Sequence, residues 1–209
     1  MKKVFGAEHR RVENREHLGK PVIVAIATRT YDTTVEDLWD AITKPERIAR
    51  WFARVDGELK LGGRYQVQGN ASGTITRCDP PEAFDVTWEF GGSTSWLQVR
   101  LAPEGKKARL TLEHIAPRDG VGEEHLKKFG PAAVGVGWDL ALEGLELHVA
   151  DPARTLDDAW KEAWSKSDEG KAFMRASGEA WGVAHAESGE DPAEARAKAE
   201  RTIAFYTGG

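Results

Sequence analysis

The stretch from Pro131 to Ala150, PAAVGVGWDLALEGLELHVA, restricts the possible folds more than any other part of this 209-residue chain. Val134, Trp138, Ala141, Leu142, Leu145 and Val149 recur at the i, i+3, i+4, i+7 spacing of a buried helical face. Val136, Leu140 and Leu147 form a second apolar strip on the opposite side, and Asp139, Glu143 and Glu146 share a narrow polar strip between the two. A helix lying on a sheet needs one apolar stripe, so the second predicts cover from another segment. Gly137 and Gly144 make a flat edge where a neighbouring backbone could come close, each at a cost of about 1 kcal/mol relative to Ala. The helix starts at Gly130-Pro131, where the missing proline N–H loses no bond.

A sheet is available to receive that helix. From Ala53 to Pro117 the pattern has period two, with turns about every eight to twelve residues, which predicts an antiparallel meander. Strands are expected over about 54–60, 63–69 and 72–79, the last stopped by Asp79-Pro80-Pro81. Phe84, Val86, Trp88 and Phe90 then alternate with Asp85, Thr87 and Glu89, so four large side chains face one way. Leu97, Val99 and Leu101 face inward from the next strand, and Ala108, Leu110, Leu112 and His114 from the last. Before the meander, PVIVAIATRTY at 21–31 reads as a central strand buried on both faces. Asp32-Thr33-Thr34 caps a helix through Val35, Leu38, Trp39 and Ile42; Lys44-Pro45 breaks it, and PERIARWF is a second short helix. The charged residues 1–20 are expected to form a turn between two short strands, with Asn14 and Gly19 as turn residues. A loop is expected from Ala116 to Phe129.

The totals narrow the classes. A chain of this size buries roughly 70% of its unfolded surface, so it needs no disulfide or metal to hold a core. The single Cys78 rules out an intramolecular disulfide and suits a reducing, cytoplasmic setting. The basic N-terminus lacks the apolar run of a signal peptide, and no stretch approaches the roughly 18 apolar residues of a membrane span. A net charge of −5, with Lys and Arg scattered among acids, argues against nucleic-acid binding. The histidines show no HxxxH or HExxH spacing, so no metal is expected. There is no GxSxG elbow or phosphate loop, and no cofactor is implied.

The segments VEDLWDAITKPERIARWF (35–52), LKLGGRYQVQ (59–68), TRCDPPEAFDVTWEF (76–90), ARLTLEH (108–114) and GWDLALEGLELHV (137–149) resemble, in order, the signatures of the activator of Hsp90 ATPase homologue-like family, a branch of the START-like (SRPBCC) superfamily. The resemblance covers about residues 20–150. It implies an α+β helix-grip fold, in which a curved antiparallel sheet wraps a long C-terminal helix. The domain would span residues 1–152, with residues 153–209 as a helical extension packing on it. The eukaryotic co-chaperones that name the branch carry a further N-terminal Hsp90-binding domain, for which these residues leave no room, so Hsp90 activation is not carried over.

Superfamily members typically hold an apolar ligand between sheet and helix. Carried onto this sequence, that implies a ligand site lined by Tyr65, Trp88, Phe90, Leu97, Val99, Leu112, Trp138 and Leu142, with Trp51 and Phe52 at one end. The expected partner is a lipid or aromatic metabolite, bound without chemical change. His114 is the polar candidate for orienting a ligand or moving a proton. Arg64 and Arg100 face solvent by strand parity, Cys78 reads as a small buried thiol, and Glu143 and Glu146 as solvated or bonded to the C-terminal extension. Two other functions remain open: a chaperone-associated or other protein-interaction module whose cavity is closed by the Trp-rich extension, and, with less support, a cyclase or dehydratase using His114 and Tyr65. Oligomeric state is open as well.

Overall fold

A computed structural model describes residues 6–209. Residues 1–5, part of the charged stretch in which no signal peptide was expected, lie outside the described residues. In order, β1 (His9–His17) and β2 (Lys20–Tyr31) form a hairpin, followed by α1 (Val35–Thr43) and α2 (Pro45–Trp51). The meander is β3 (Val55–Gly57), β4 (Arg64–Val67), β5 (Ser72–Asp79), β6 (Ala83–Phe90), β7 (Ser93–Glu104) and β8 (Lys107–Pro117). Then come α3 (Glu123–Phe129), the long helix α4 (Ala132–Ala150), α5 (Asp158–Lys166), α6 (Asp168–Glu187) and α7 (Pro192–Thr207). All strands join one antiparallel sheet ordered β1-β2-β8-β7-β6-β5-β4-β3. The sheet curves around α4 in the helix-grip arrangement.

Local chemistry explains the boundaries. The Thr34 hydroxyl accepts from the Asp37 N–H at 3.2 Å and caps α1; Pro45 opens α2. Two expectations fail in the connections. Residues 9–17 are a single strand, with Asn14 opposite Ile23; of the two expected turn residues only Gly19 is in the turn, which falls at Leu18-Gly19, where both residues have positive φ. Charged side chains misled the reading because β1 is an edge strand, one face of which is wet. The expected loop before α4 contains α3, a short helix with Glu123 and Glu124 in its first turn and Lys127 and Lys128 in its last, arranged to suit its dipole.

The helix α4 is covered from two sides. Leu142 and Leu145 belong to the same core as Leu97, Val99 and Leu112 of the sheet. On its other side Trp181 of α6, fully buried, lies against Gly135: a Cβ there would come within 2.4 Å of the indole. Gly144 admits α2, since a Cβ would sit 3.0 Å from the Trp51 carbonyl oxygen. At the other expected glycine, Gly137, the nearest atom to a Cβ is the Tyr206 hydroxyl of α7 at 3.1 Å. Phe173, Met174, Trp181 and Ala184 of α6 share the core of the sheet and α4.

The polar strip of α4 is not a solvated seam. Asp139 has no exposed surface. Its Oδ1 accepts from the Ala7 N–H at 2.9 Å, and its Oδ2 accepts from Arg10 Nε at 2.8 Å, Ser177 Oγ at 2.5 Å and Trp181 Nε1 at 3.1 Å. Burial pushes its pKa up while Arg10, Ser177 and the Ala7 N–H pull it down. Every neighbouring atom donates, which suits the carboxylate. Glu143 and Glu146, expected in solvent or against the extension, instead meet buried Arg29 of β2, at 2.8 and 3.4 Å, and Arg29 also donates to the Gly6 carbonyl. Arg29 is the one charged residue in the stretch 21–31, the sequence signal that could have located this pair. The Tyr31 hydroxyl donates to the Leu142 carbonyl at 3.1 Å, pinning β2 to the middle of the helix.

Asp139→Ala should therefore cost about 3–5 kcal/mol of unfolding free energy, because it removes the carboxylate that Arg10 meets and leaves the Ala7 N–H, the Ser177 hydroxyl and the Trp181 indole N–H without their acceptor in the interior. Urea denaturation followed by far-UV circular dichroism measures it; a loss under about 1 kcal/mol would show that the network contributes little.

Candidate ligand cavity

Between the concave face of the sheet and α4 lies a cavity of about 360 Å3. Its floor is sheet: Tyr65 of β4, Ile75 and Cys78 of β5, Phe84, Val86 and Trp88 of β6, Leu97 and Val99 of β7, Leu110 and Leu112 of β8. Trp138, Ala141, Leu142 and Leu145 of α4 form the roof. Trp39 and Ile42 of α1, with Ile48, Trp51 and Phe52 from α2 and its C-cap, close one end.

Of the residues expected at a ligand site, Trp51, Phe52, Tyr65, Trp88, Leu97, Val99, Leu112, Trp138 and Leu142 are brought together on this wall. Phe90 is not. It shares the parity of Trp88, but it forms the last pair of the β6–β7 hairpin with Ser93, where nothing covers it, and is 60% exposed. His114 is buried beside the cavity without lining it: its Nδ1 accepts from Trp138 Nε1 at 3.0 Å, and its ring lies edge-on to that of Trp88. Strand parity found its face but not the indole that stands in front of it.

Wall residues that pattern reading passed over include Phe84 and Val86, whose alternation with Trp88 was visible, and Cys78, which was not legible. Strand β5 pairs Ile75 with Val86 but Arg77 with Asp85, a register shift that places one extra residue at Thr76. The shift turns Cys78 to the face that Ile75 occupies, so the thiol, expected to be buried, is a half-buried wall group. Parity assigned Arg64 and Arg100 to the outer face; Arg64 is exposed and pairs with Glu89, and half-buried Arg100 pairs with Asp85.

The wall is strongly aromatic. Trp88 and Trp138 meet edge to face with ring centroids 5.2 Å apart, Phe52 stacks on Trp138 at 6.4 Å, and Tyr65 lies 6.5 Å from Trp88. Burial drives the His114 pKa down from 6.5 to about 4, so the imidazole is neutral at physiological pH. With Nδ1 accepting, the ring proton is on Nε2. Among the described residues no group of His, Cys, Asp and Glu is placed to hold a metal ion, and no helix is long and apolar enough to cross a membrane.

Residues 32–150 match the family described as Activator of Hsp90 ATPase homolog 1-like protein. The chain belongs to that family. Among solved structures, the crystal structure of CalU16 from Micromonospora echinospora is 32% identical, with 84% of this chain and 96% of that chain aligned at a TM-score of 0.67. The solution structure of CalU16 gives 31% identity, 90% and 100% coverage, and a TM-score of 0.72. Residues 1–152 alone could not supply that coverage, so the likeness runs into the C-terminal helices. Protein MLL2253 from Mesorhizobium loti, 18% identical over 62% of this chain and 98% of its own, has a TM-score of 0.52 and shares the fold. No functionally curated protein matches. Within this family the chain is a START-like domain of the ligand-binding type.

The buried imidazole makes the fold acid-sensitive. Because the folded pKa of His114 lies below its unfolded value, the unfolded chain binds more protons between about pH 4 and 6.5, and stability falls as pH falls through that window. The maximum loss from this group is roughly 3 kcal/mol. His148 and His185, also shifted down mainly by burial, act with the same sign. His114→Gln should flatten the dependence of urea-unfolding free energy on pH below 6.5; an unaltered slope would mean that His114 is not the buried neutral base described.

Proposed function

We propose that this protein binds an apolar small molecule, a lipid or aromatic metabolite, in the cavity between sheet and α4 and releases it chemically unchanged. The observation that carries this reading is the cavity itself: about 360 Å3, within the range of roughly 300–1,000 Å3 of small-molecule sites, walled by apolar and aromatic side chains. Burial of ligand surface at about 25 cal/mol per Å2 would supply most of the affinity. The protein has already met the cost of shaping the site, since α4 is held by α6 and, through the Asp139 network, by β1. Binding without turnover is favoured over the cyclase reading by His114 and Tyr65. The imidazole spends Nδ1 on Trp138, and the phenol spends its proton on the Thr87 carbonyl at 2.8 Å. Burial also pushes the Tyr65 pKa up, leaving a poor general base.

Native mass spectrometry of gently purified protein, followed by organic extraction, should reveal a stoichiometric apolar adduct. Trp88→Ala should weaken uptake about tenfold or more by removing a central wall, and Leu142→Arg should abolish it by placing a charge in the roof, while circular dichroism stays near wild type. Unchanged uptake in both folded variants would remove this cavity as the binding site.

A further inference from the structure

The polar groups of the cavity wall determine which apolar molecules can enter. Among the described residues no charged side chain lines the cavity. The strongest donors on its wall are spent within the protein: Trp51 Nε1 on the Ala41 carbonyl at 3.0 Å, Trp138 Nε1 on His114, the Tyr65 hydroxyl on Thr87, and the Thr43 hydroxyl on the Trp39 carbonyl at 2.6 Å. What remains is uncharged: the indole N–H groups of Trp39 and Trp88, which make no hydrogen bond in the structure, and the Cys78 thiol. These can orient a carbonyl or ether oxygen but cannot neutralise a charge.

Several cations near the wall are engaged as well. Lys44 pairs with Asp40 at 2.6 Å, Arg54 with Asp56 at 2.9 Å, Lys60 with Glu58 at 2.9 Å and Arg77 with Asp79 at 2.6 Å. Lys161 donates to the Phe52 carbonyl at 2.7 Å, with Asp158 at 3.9 Å. Net charge of −5 adds no long-range attraction for an anion.

We infer that the cavity accepts uncharged, compact aromatic molecules and excludes anionic ones, fatty acids and other carboxylates or sulfonates included, because its wall offers ring faces and edges but no countercharge. This inference rests on the ligand-binding reading and specifies its chemical class. The volume suits on the order of two or three fused rings better than a long-chain lipid. Edge-to-face contacts from Trp88 and Trp138 favour such a ring system over an alkyl chain of equal area. A carboxylate carried into this site would lose its hydration and gain no partner.

The test is a matched pair of fluorescent probes, N-phenylnaphthylamine and its sulfonate, titrated into the full-length protein. Expected is saturable binding of the neutral probe at one site, with the sulfonate about tenfold or more weaker. Affinities within threefold of each other overturn the inference and leave the ligand-binding reading standing; binding of neither removes both. Cys78→Lys, which places a cation on a half-buried part of the wall, should bring the two affinities towards parity. If the folded variant keeps the wild-type preference, lack of countercharge is not what excludes the sulfonate, and the inference fails.

Discussion

A carboxylate with no exposed surface sits on α4, and the groups that satisfy it come from both ends of the chain. Ala7 and Arg10 reach Asp139 from the N-terminal segment, Ser177 and Trp181 from α6. Burying such a charge is costly unless every lone pair is met, so these elements are bound to one arrangement. The small residue at Gly135 lets Trp181 come near enough to take part. Helix α4 is thereby tied to β1 and to α6 together, and its cavity-facing side can remain incompletely packed without collapsing onto the strands.

That division of labour relates stability to function. In most small domains the sheet–helix interface is the whole core, and a cavity there would cost stability in proportion to its volume. Here the interface between α4 and α6 supplies rigidity on the other side of the helix, and the Arg29–Glu143 and Tyr31–Leu142 links fasten it to β2, away from the cavity wall. The aromatic wall is then left facing an open cavity. The same economy governs its polar groups. Several wall donors bond to backbone carbonyls and to His114 rather than pointing unpaired into the cavity.

Much of the architecture was legible in one sequence because it depends on periodicity. The alternation in β6 and β7, the Lys44-Pro45 break and the long apolar helix are local patterns, and the helix-grip arrangement was implied by the family resemblance that their order carries. The cavity wall was legible where alternation is uninterrupted, at Trp88, Leu97, Val99 and Leu112. It was illegible at Cys78, where an extra residue in β5 reverses the face, and misleading at Phe90, where the correct parity continues past the covering elements.

The residue pattern by itself determined that α4 must be buried on two sides and that an antiparallel sheet would receive one of them, since apolar side chains at fixed spacing have only one way of leaving water together. Only the tertiary structure decided the fate of the polar strip between those sides. A helical wheel treats Asp139, Glu143 and Glu146 alike, but long-range packing sends the first to Arg10 and α6 and the other two to Arg29. The physical reason is that burial of a charge is settled by its partners. Those partners lie up to 129 positions away, beyond the reach of any local pattern.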